Sequence, residues 1–393
     1  MNNNEAWLLP EGIEELLPEQ AEQLETVRRN LIDQMHGWGY QLVMPPFIDF
    51  LDTLLTGMGN DLALQTFTLT DQVSGRQMGI RADMTPQVAR LDAHQFTNDT
   101  PNRLCYLGTV LRTRPDDFAG SRSPMQCGAE LYGSSSIDSD VEIIRLMLAT
   151  LKVTGISEVH VDLAHVGIYR GLANQAGLDD DREAALFDVL QRKAIPELEA
   201  LLAEWSLDAA VSSMLRALVD LNGDVDVLAT AKAKLAGADK SVLDALDNLA
   251  GITQQLQSLA PNTRLFIDLA ELRGYHYHNG VMFSAYLAGK GQAIAWGGRY
   301  DNIGKDFGRA RPATGFSTDL KSLIEMGQVP VVMPKAIFAP AGNDAQLLAT
   351  IDNLRAAGER VIVALPEQTG GAAELGCDRS LELKNEGWEV VTL

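Results

Sequence analysis

Tyr106-Leu-Gly-Thr-Val-Leu-Arg-Thr-Arg-Pro115, followed by Gln126-Cys-Gly-Ala-Glu130, is the stretch on which the reading of this sequence turns. The apolar run 104–111 lies between turn-forming residues and predicts a strand. In the second segment Gln126, Gly128 and Glu130 alternate, so a strand there projects all three from one face. Polar groups on such a face either meet water or line a pocket. Around these segments, 66–132 reads as short strands and turns with one helix at 85–93, and an antiparallel sheet is the natural architecture.

Upstream, 18–37 places Leu24, Val27, Leu31 and Met35 at three- and four-residue intervals, with Glu19 in the first turn and a glycine at the end. That spacing predicts an amphipathic helix. It leads into Tyr40-Gln-Leu-Val-Met-Pro45-Pro46, where the prolines cannot donate to a ladder, so the strand stops or sits at an edge. Downstream, a helix at 141–153 and a strand at 158–163 precede 169–260, which is almost wholly helical and reads as an inserted domain with a solvated acidic face. Strand patterns resume at 263–268, 275–286 and 292–295, followed by a glycine-rich turn and a helix from about Thr318 to Glu325. After Pro330 and Pro334, the segments 336–339, 344–357, 360–364, 379–385 and 388–393 read as β-α-β-α-β. The expected fold is α+β in three parts: a core of 1–168 and 261–329, a helical insertion at 169–260, and a small α/β unit at 330–393.

The chain has 393 residues, of which 46% are hydrophobic and 22% charged, enough apolar material to exclude disorder as the dominant state. Cys105, Cys127 and Cys377 are far apart with no CxxC pair, which supports neither a disulfide framework nor a structural zinc site. The first twenty residues lack the basic start and apolar core of a signal peptide. No run approaches the roughly 18 apolar residues needed to span a bilayer, and a cytoplasmic protein with no membrane partner is expected. A balance of 53 acidic against 32 basic residues gives a net charge of −21, a surface that on average repels nucleic acid.

Gly79-Ile-Arg-Ala-Asp-Met-Thr-Pro-Gln87 puts Asp83 and Thr85 at the start of a helix, where both residue types satisfy free N–H groups whatever else they do. Arg273-Gly-Tyr-His-Tyr-His-Asn279 and Gly297-Gly-Arg-Tyr-Asp301 are two further polar, aromatic patches. His276 and His278 alternate, yet no carboxylate or thiol stands at ligand spacing to complete a metal set. Gly297-Gly298 lacks the spacing of a phosphate loop, so neither metal nor cofactor is expected. An arginine able to clamp a carboxylate, a carboxylate and hydroxyl able to accept from an ammonium, and a second carboxylate beside aromatics together suit a zwitterion with a polar side chain. The chemistry points to an amino-acid pocket.

The order of these motifs resembles the class II aminoacyl-tRNA synthetases, specifically the histidyl-tRNA synthetase core, over nearly the whole chain. The first helix, strand and Pro45-Pro46 look like the dimer-forming first motif, Tyr106–Pro115 like the second, and Gly315-Phe-Ser-Thr-Asp-Leu-Lys-Ser-Leu323 like the third. Arg273-Gly-Tyr-His-Tyr-His278 is similar to the histidine-specific signature Arg-Gly-Leu-Asp-Tyr-Tyr. The resemblance implies that Asp83, standing where the family has Glu, receives an α-ammonium with Thr85 and Gln126. It likewise implies that Arg112 meets the carboxylate and Glu130 faces the imidazole of a bound histidine. Arg273 matches the family's catalytic arginine, Tyr277 the first tyrosine of the signature, and His278 replaces the second.

The nucleotide half departs from the pattern. Ser322 replaces the third-motif arginine that lies against adenine, Pro124 replaces the phenylalanine on its other face, and Asp319 replaces a glycine near the phosphates. The C-terminal unit is similar to an anticodon-binding domain but short and acidic, so no tRNA is expected. A synthetase fold that keeps the amino-acid pocket and loses ATP and tRNA recognition resembles the regulatory subunits of ATP phosphoribosyltransferase. That resemblance implies a non-catalytic protein, a homodimer within a hetero-oligomer, that partners the short-form catalytic subunit, activates it and helps confer feedback inhibition by L-histidine. The alternatives are a degenerate histidyl-tRNA synthetase or ATP-dependent amino-acid ligase, and a scaffold with a vestigial pocket.

Overall fold

Nine strands form the main sheet, in the order Gln41–Leu42, Asn102–Thr109, Met125–Tyr132, Ala313–Asp319, Ala293–Arg299, Val281–Leu287, Val159–His165, Arg264–Asp268 and Asn222–Gly223. The computed structural model describes residues 8–56, 60–96, 98–115, 120–272, 277–327, 329–330, 333–384 and 387–393. The run of strands from Asn102–Thr109 to Val159–His165 is antiparallel throughout. Gln41–Leu42 pairs in parallel at one edge, just before the two prolines end the ladder. A second sheet of three short strands, Ile48–Phe50, Gln77–Ile80 and Phe67–Thr70, precedes the helix Thr85–Gln95.

Alternation sends the two sets of side chains from the main sheet into two apolar clusters. On one face Cys127, Ala129, Leu131, Leu163, Phe283 and Phe316 pack with Ile143, Met147 and Leu151 of the helix Ile137–Val153. Leu24, Val27, Leu31 and Met35 join this cluster from the helix Pro18–Gly37, as their spacing predicts. On the opposite face Leu104, Tyr106, Tyr132 and Tyr300 pack against Met84, Val88 and Ala89, at the start of Thr85–Gln95. That second face carries the site described below.

Residues 166–259 fold into six helices, two of which start at aspartates that accept the free N–H groups: Asp179 from Arg182, and Asp208 from Ala210 and Val211. Their apolar faces belong to the same cluster as the sheet, through residues such as Leu172, Leu190, Leu215, Leu246 and Leu249. The contacts accordingly divide the chain into two compact units: residues up to 16 with Leu24–Val329, and Leu17–Gln23 with Pro330–Leu393.

Within the second unit the strands Arg360–Val363, Ala336–Ala339, Arg379–Lys384 and Gly387–Thr392 form one sheet, with Ala345–Ala356 as its helix. The order is therefore β-α-β-β-β, and 379–384 is a strand where the sequence reading made it a helix. Ser380 and Leu381 are buried at its start while Glu382, Leu383 and Lys384 are exposed, and it pairs with Gly387–Thr392 as a hairpin, which overrides any helical tendency of the segment.

Three further expectations are corrected in the core. The strand expected from 275 begins at Val281, because Tyr277–Gly280 is a turn, and 273–276 lies outside the described residues. Gly297 and Gly298 sit inside the strand Ala293–Arg299 rather than in a turn. A Cβ on Gly297 would stand 2.1 Å from the Gly315 carbonyl oxygen, so glycine here permits close strand approach and not a reversal. The last core helix is Leu320–Gly327, and Thr318 belongs to the strand before it, which ends at Asp319.

Arg299 fastens this sheet to the start of Ile137–Val153. Its guanidinium pairs with Asp140 at 2.9 Å, donates to the Ser134 carbonyl at 3.0 Å and the Ser139 hydroxyl at 2.9 Å, and reaches Asp301 at 3.2 Å. Asp140 and Arg299 are both buried, so removing one partner strands the other charge. Asp140→Ala is expected to cost about 3–5 kcal/mol in denaturant unfolding, and Asp140→Leu with Arg299→Met less than the sum of the two single changes.

Candidate functional site

The site lies on the sheet face that carries Tyr106 and Tyr300. Seven of the eight residues singled out from the sequence line one cavity of about 1170 Å³: Asp83, Thr85, Arg112, Gln126, Glu130, Tyr277 and His278. The eighth, Arg273, lies outside the described residues, as does His276. Pro124, Asp319 and Ser322 line the same cavity.

Asp83 and Thr85 come from the turn into Thr85–Gln95, and Gln126 from the strand beside it. The Gln126 amide locks them together. Its Nε2 donates to Asp83 Oδ1 at 2.8 Å, while its Oε1 accepts from the Met84 backbone N–H at 2.8 Å. Asp83 Oδ1 also accepts from the Thr85 N–H at 2.8 Å, so the helix-start role expected for this aspartate holds alongside its place in the cavity wall. The result is a cluster of acceptor oxygens held rigidly at one end, the arrangement an ammonium requires.

Glu130 forms the other end. It projects from Met125–Tyr132 onto the cavity face, and its carboxyl group is almost fully buried. Tyr106 donates to its Oε1 at 2.9 Å, Tyr300 donates to its Oε2, and the Thr85 hydroxyl lies 3.0 Å from that of Tyr106. Burial pushes the Glu130 carboxyl up to about 8, and the two tyrosine hydrogen bonds only partly oppose it. Directly across the ladder from Glu130 is Gly315, where a Cβ would stand 1.5 Å from Glu130 Oε2. Only glycine leaves that carboxyl its place.

Tyr277 stacks on Tyr300 with ring centroids 4.9 Å apart, and His278 meets Tyr277 edge-on at 5.2 Å. Burial draws the His278 imidazole down to about 4, so it is neutral at neutral pH. Arg112 reaches the cavity from the segment after Asn102–Thr109, its backbone N–H bonded to the Arg122 carbonyl at 2.9 Å. Tyr106 and Tyr300 were not among the residues singled out from the sequence. The alternation of Tyr106 with Leu104 and Gly108 could have placed it opposite Gly128, and Tyr300 lay within the polar patch 297–301.

On the nucleotide side, Asp319 caps the helix Leu320–Gly327. Its Oδ1 accepts from the Met125 N–H at 2.9 Å and the Lys321 N–H at 3.2 Å, and its Oδ2 takes the Ser322 hydroxyl at 2.5 Å. Ser322 is therefore folded back onto Asp319 and presents neither a cation nor a flat surface to the cavity. Among the described residues no group of three His, Cys, Asp or Glu is placed to hold a metal ion. Cys105, Cys127 and Cys377 are free thiols, and no described helix is long and apolar enough to cross a membrane.

A family model described as histidyl-tRNA synthetase matches residues 12–323, and one described as ATP phosphoribosyltransferase subunit HisZ C-terminal domain matches 334–391. The ATP phosphoribosyltransferase regulatory subunit of Thioalkalivibrio sulfidiphilus is 58% identical over 100% of both chains, and that of Pseudomonas syringae pv. tomato is 54% identical over 98% of each. Among solved structures, an ATP phosphoribosyltransferase regulatory subunit/histidyl-tRNA synthetase from Bacillus halodurans superposes with a TM-score of 0.81 at 26% identity, covering 94% of this chain and 95% of the other. Histidyl-tRNA synthetase from Nostoc sp. PCC 7120 shares the fold with a TM-score of 0.78 at 17% identity, covering 98% and 97%. With full-length identity above half and both family models matched in order, this chain belongs to the family of ATP phosphoribosyltransferase regulatory subunits, built on the histidyl-tRNA synthetase fold.

Proposed function

We propose that this chain is the non-catalytic regulatory subunit of an ATP phosphoribosyltransferase, acting at the first step of L-histidine biosynthesis. It assembles with a short-form catalytic chain in the cytoplasm, activates it, and contributes to feedback inhibition by histidine. The observation that carries the ligand assignment is the convergence of Asp83, Thr85, Arg112, Gln126, Glu130, Tyr277 and His278 on one cavity, with oxygen acceptors at one end and a buried carboxyl at the other. Histidine would place its ammonium at Asp83, Thr85 and Gln126, its carboxylate at Arg112 and its imidazole toward Glu130. Arg273, by its place in the signature, belongs to the same set.

The nucleotide side supports a regulatory rather than a synthetase role. Stacking is worth about 0.5–1.5 kcal/mol beyond burial and a cation over a ring up to about 2 kcal/mol, and Pro124 and Ser322 supply neither. Asp319 adds a negative charge where polyphosphate would lie. A homodimer formed through the first-motif region, joined to catalytic chains in a larger assembly, is the expected form, with the helical segment 169–260 as an insertion that shares the apolar cluster of the core sheet and 330–393 as a separate unit. Regulation then follows from linkage: histidine favours one state of the assembly because that state binds it more tightly, and by the same amount that state is favoured.

Arg112→Ala and Glu130→Ala should each weaken histidine binding about 10- to 100-fold in calorimetry, about 1.5–3 kcal/mol for a hydrogen bond to a charged group at Arg112 and for a buried polar partner left unsatisfied at Glu130. Unchanged affinity would remove histidine from this cavity, and histidine-dependent exchange of pyrophosphate into ATP would restore the synthetase reading.

Glu130 also sets a pH dependence. Its carboxyl titrates near 8 in the folded chain against 4.5 for the ordinary group, so its contribution to stability is full below 4.5 and is lost as the pH rises through 8. In the ligand-free protein the difference in unfolding free energy between wild type and Glu130→Gln should therefore shift steadily against wild type from about pH 5 to pH 8 and level off above it. A difference independent of pH over that window would show that the carboxyl is already ionised when buried.

A further inference from the structure

We propose that Arg122 is a positioning residue for Arg112: it fixes where the Arg112 guanidinium enters the cavity, and it can do so because residues 11 and 12 clamp it from behind. The proposal deepens the function proposed above and rests on its reading that Arg112 meets the carboxylate of bound histidine.

Arg112 lies beyond the end of the strand Asn102–Thr109, where the regular ladder no longer fixes its backbone. Three successive N–H groups there go to three different segments. Leu111 donates to the Arg81 carbonyl at 3.0 Å, Arg112 to the Arg122 carbonyl at 2.9 Å and Thr113 to the Gln65 carbonyl at 2.9 Å. Arg122 holds residue 112 at its other polar backbone group as well, since Arg122 Nε donates to the Arg112 carbonyl at 3.1 Å. A long side chain carries any drift of its backbone out to its tip. Where residue 112 is pinned therefore decides whether its guanidinium can meet a carboxylate in the two-pronged geometry that makes such a pair strong. Gly120, Ser121 and Pro124 of the same segment line the cavity, whereas the Arg122 guanidinium is directed at main-chain oxygens and an aromatic ring.

What holds Arg122 comes from far along the chain. Its N–H donates to the Gly12 carbonyl at 2.7 Å, its Nη1 donates to the Glu11 carbonyl at 3.2 Å, and its Cζ lies 5.3 Å from the centre of the Phe67 ring. Gly12 has a φ of +71°, and a Cβ there would stand 2.9 Å from Arg122 Cγ, so both the turn and the close approach require glycine. Glu14 fastens the same stretch. Its carboxylate pairs with Lys321 at 2.9 Å and accepts from the Ser121 hydroxyl at 3.3 Å, and the Lys321 side chain is only 15% exposed. The described residues that line the cavity include none of 11–14, which act on its carboxylate end through Arg122.

The test is a double-mutant cycle on the full chain, with L-histidine affinity read by calorimetry. Arg122→Met should weaken histidine about three- to tenfold in the wild-type background, and by less than about twofold in the Arg112→Ala background, where there is no guanidinium left to position. Arg122→Lys keeps the charge and loses the fork that spans two carbonyls, so it should lose as much as Arg122→Met. Gly12→Ala crowds Arg122 without removing it, and its loss should likewise be confined to chains that carry Arg112. A general loss of structure would weaken binding in both backgrounds, which separates positioning from a folding defect. Equal losses in the two backgrounds, or full wild-type affinity in Arg122→Lys, would overturn the positioning role while leaving histidine in the cavity. Absence of histidine binding by the wild type would overturn the histidine reading itself, and this proposal with it.

Discussion

Glu130 is a carboxyl group sealed inside an antiparallel sheet, and its burial dictates what surrounds it. An isolated buried carboxylate is costly enough that the group either neutralises or acquires donors, and here both occur. Tyr106 and Tyr300 supply hydroxyls from two strands, and the carboxyl is raised to about 8. The opposing position has to be Gly315, because any side chain there would occupy the space of the carboxyl oxygens. Tyr277 then covers Tyr300, and Thr85 reaches Tyr106, so the walls of the cavity are consequences of where Glu130 sits.

The same sheet face ends in two different chemistries. At the inner end the acceptor groups are held by rigid partners, as in the Gln126 bridge between Asp83 and the Met84 N–H, a preorganisation that lowers the ordering cost of binding. Toward the outside the groups that would grip a nucleotide are turned inward, Ser322 onto Asp319 and Asp319 onto backbone N–H groups. A fold of this kind can hold an amino acid without activating it. On the proposed function, recognition of an amino acid without its activation would suit a sensor, since a ligand that is consumed cannot report its own concentration at equilibrium.

The sequence made much of this legible because strand periodicity and motif spacing act locally. The alternation of Gln126, Gly128 and Glu130 placed them on one face, and the intervals of Leu24, Val27, Leu31 and Met35 placed the first helix against the core. What escaped depends on partners distant along the chain. Tyr300 reads as part of a polar patch until Glu130 is known to lie within reach of its hydroxyl, and Arg299 of the same patch points to the other face of the sheet, onto Asp140. Gly297 and Gly298 read as a turn because glycine signals reversal more often than close strand approach, and the neighbouring strands that decide between the two come from elsewhere in the sequence. The segment 379–384 was misread for the same reason, its strand state being set by the hairpin with 387–392.

The most direct measurement is the rate of phosphoribosyl-ATP formation by the same organism's short-form catalytic chain, alone and with this protein, each with and without histidine. A regulatory subunit that senses histidine through this cavity predicts a rate increase on adding the protein, reversal of that increase by histidine, and loss of the reversal in Glu130→Ala while the activation remains. No rate change and no co-elution of the two chains would contradict the regulatory role, and reversal that persists in Glu130→Ala would place the sensing elsewhere.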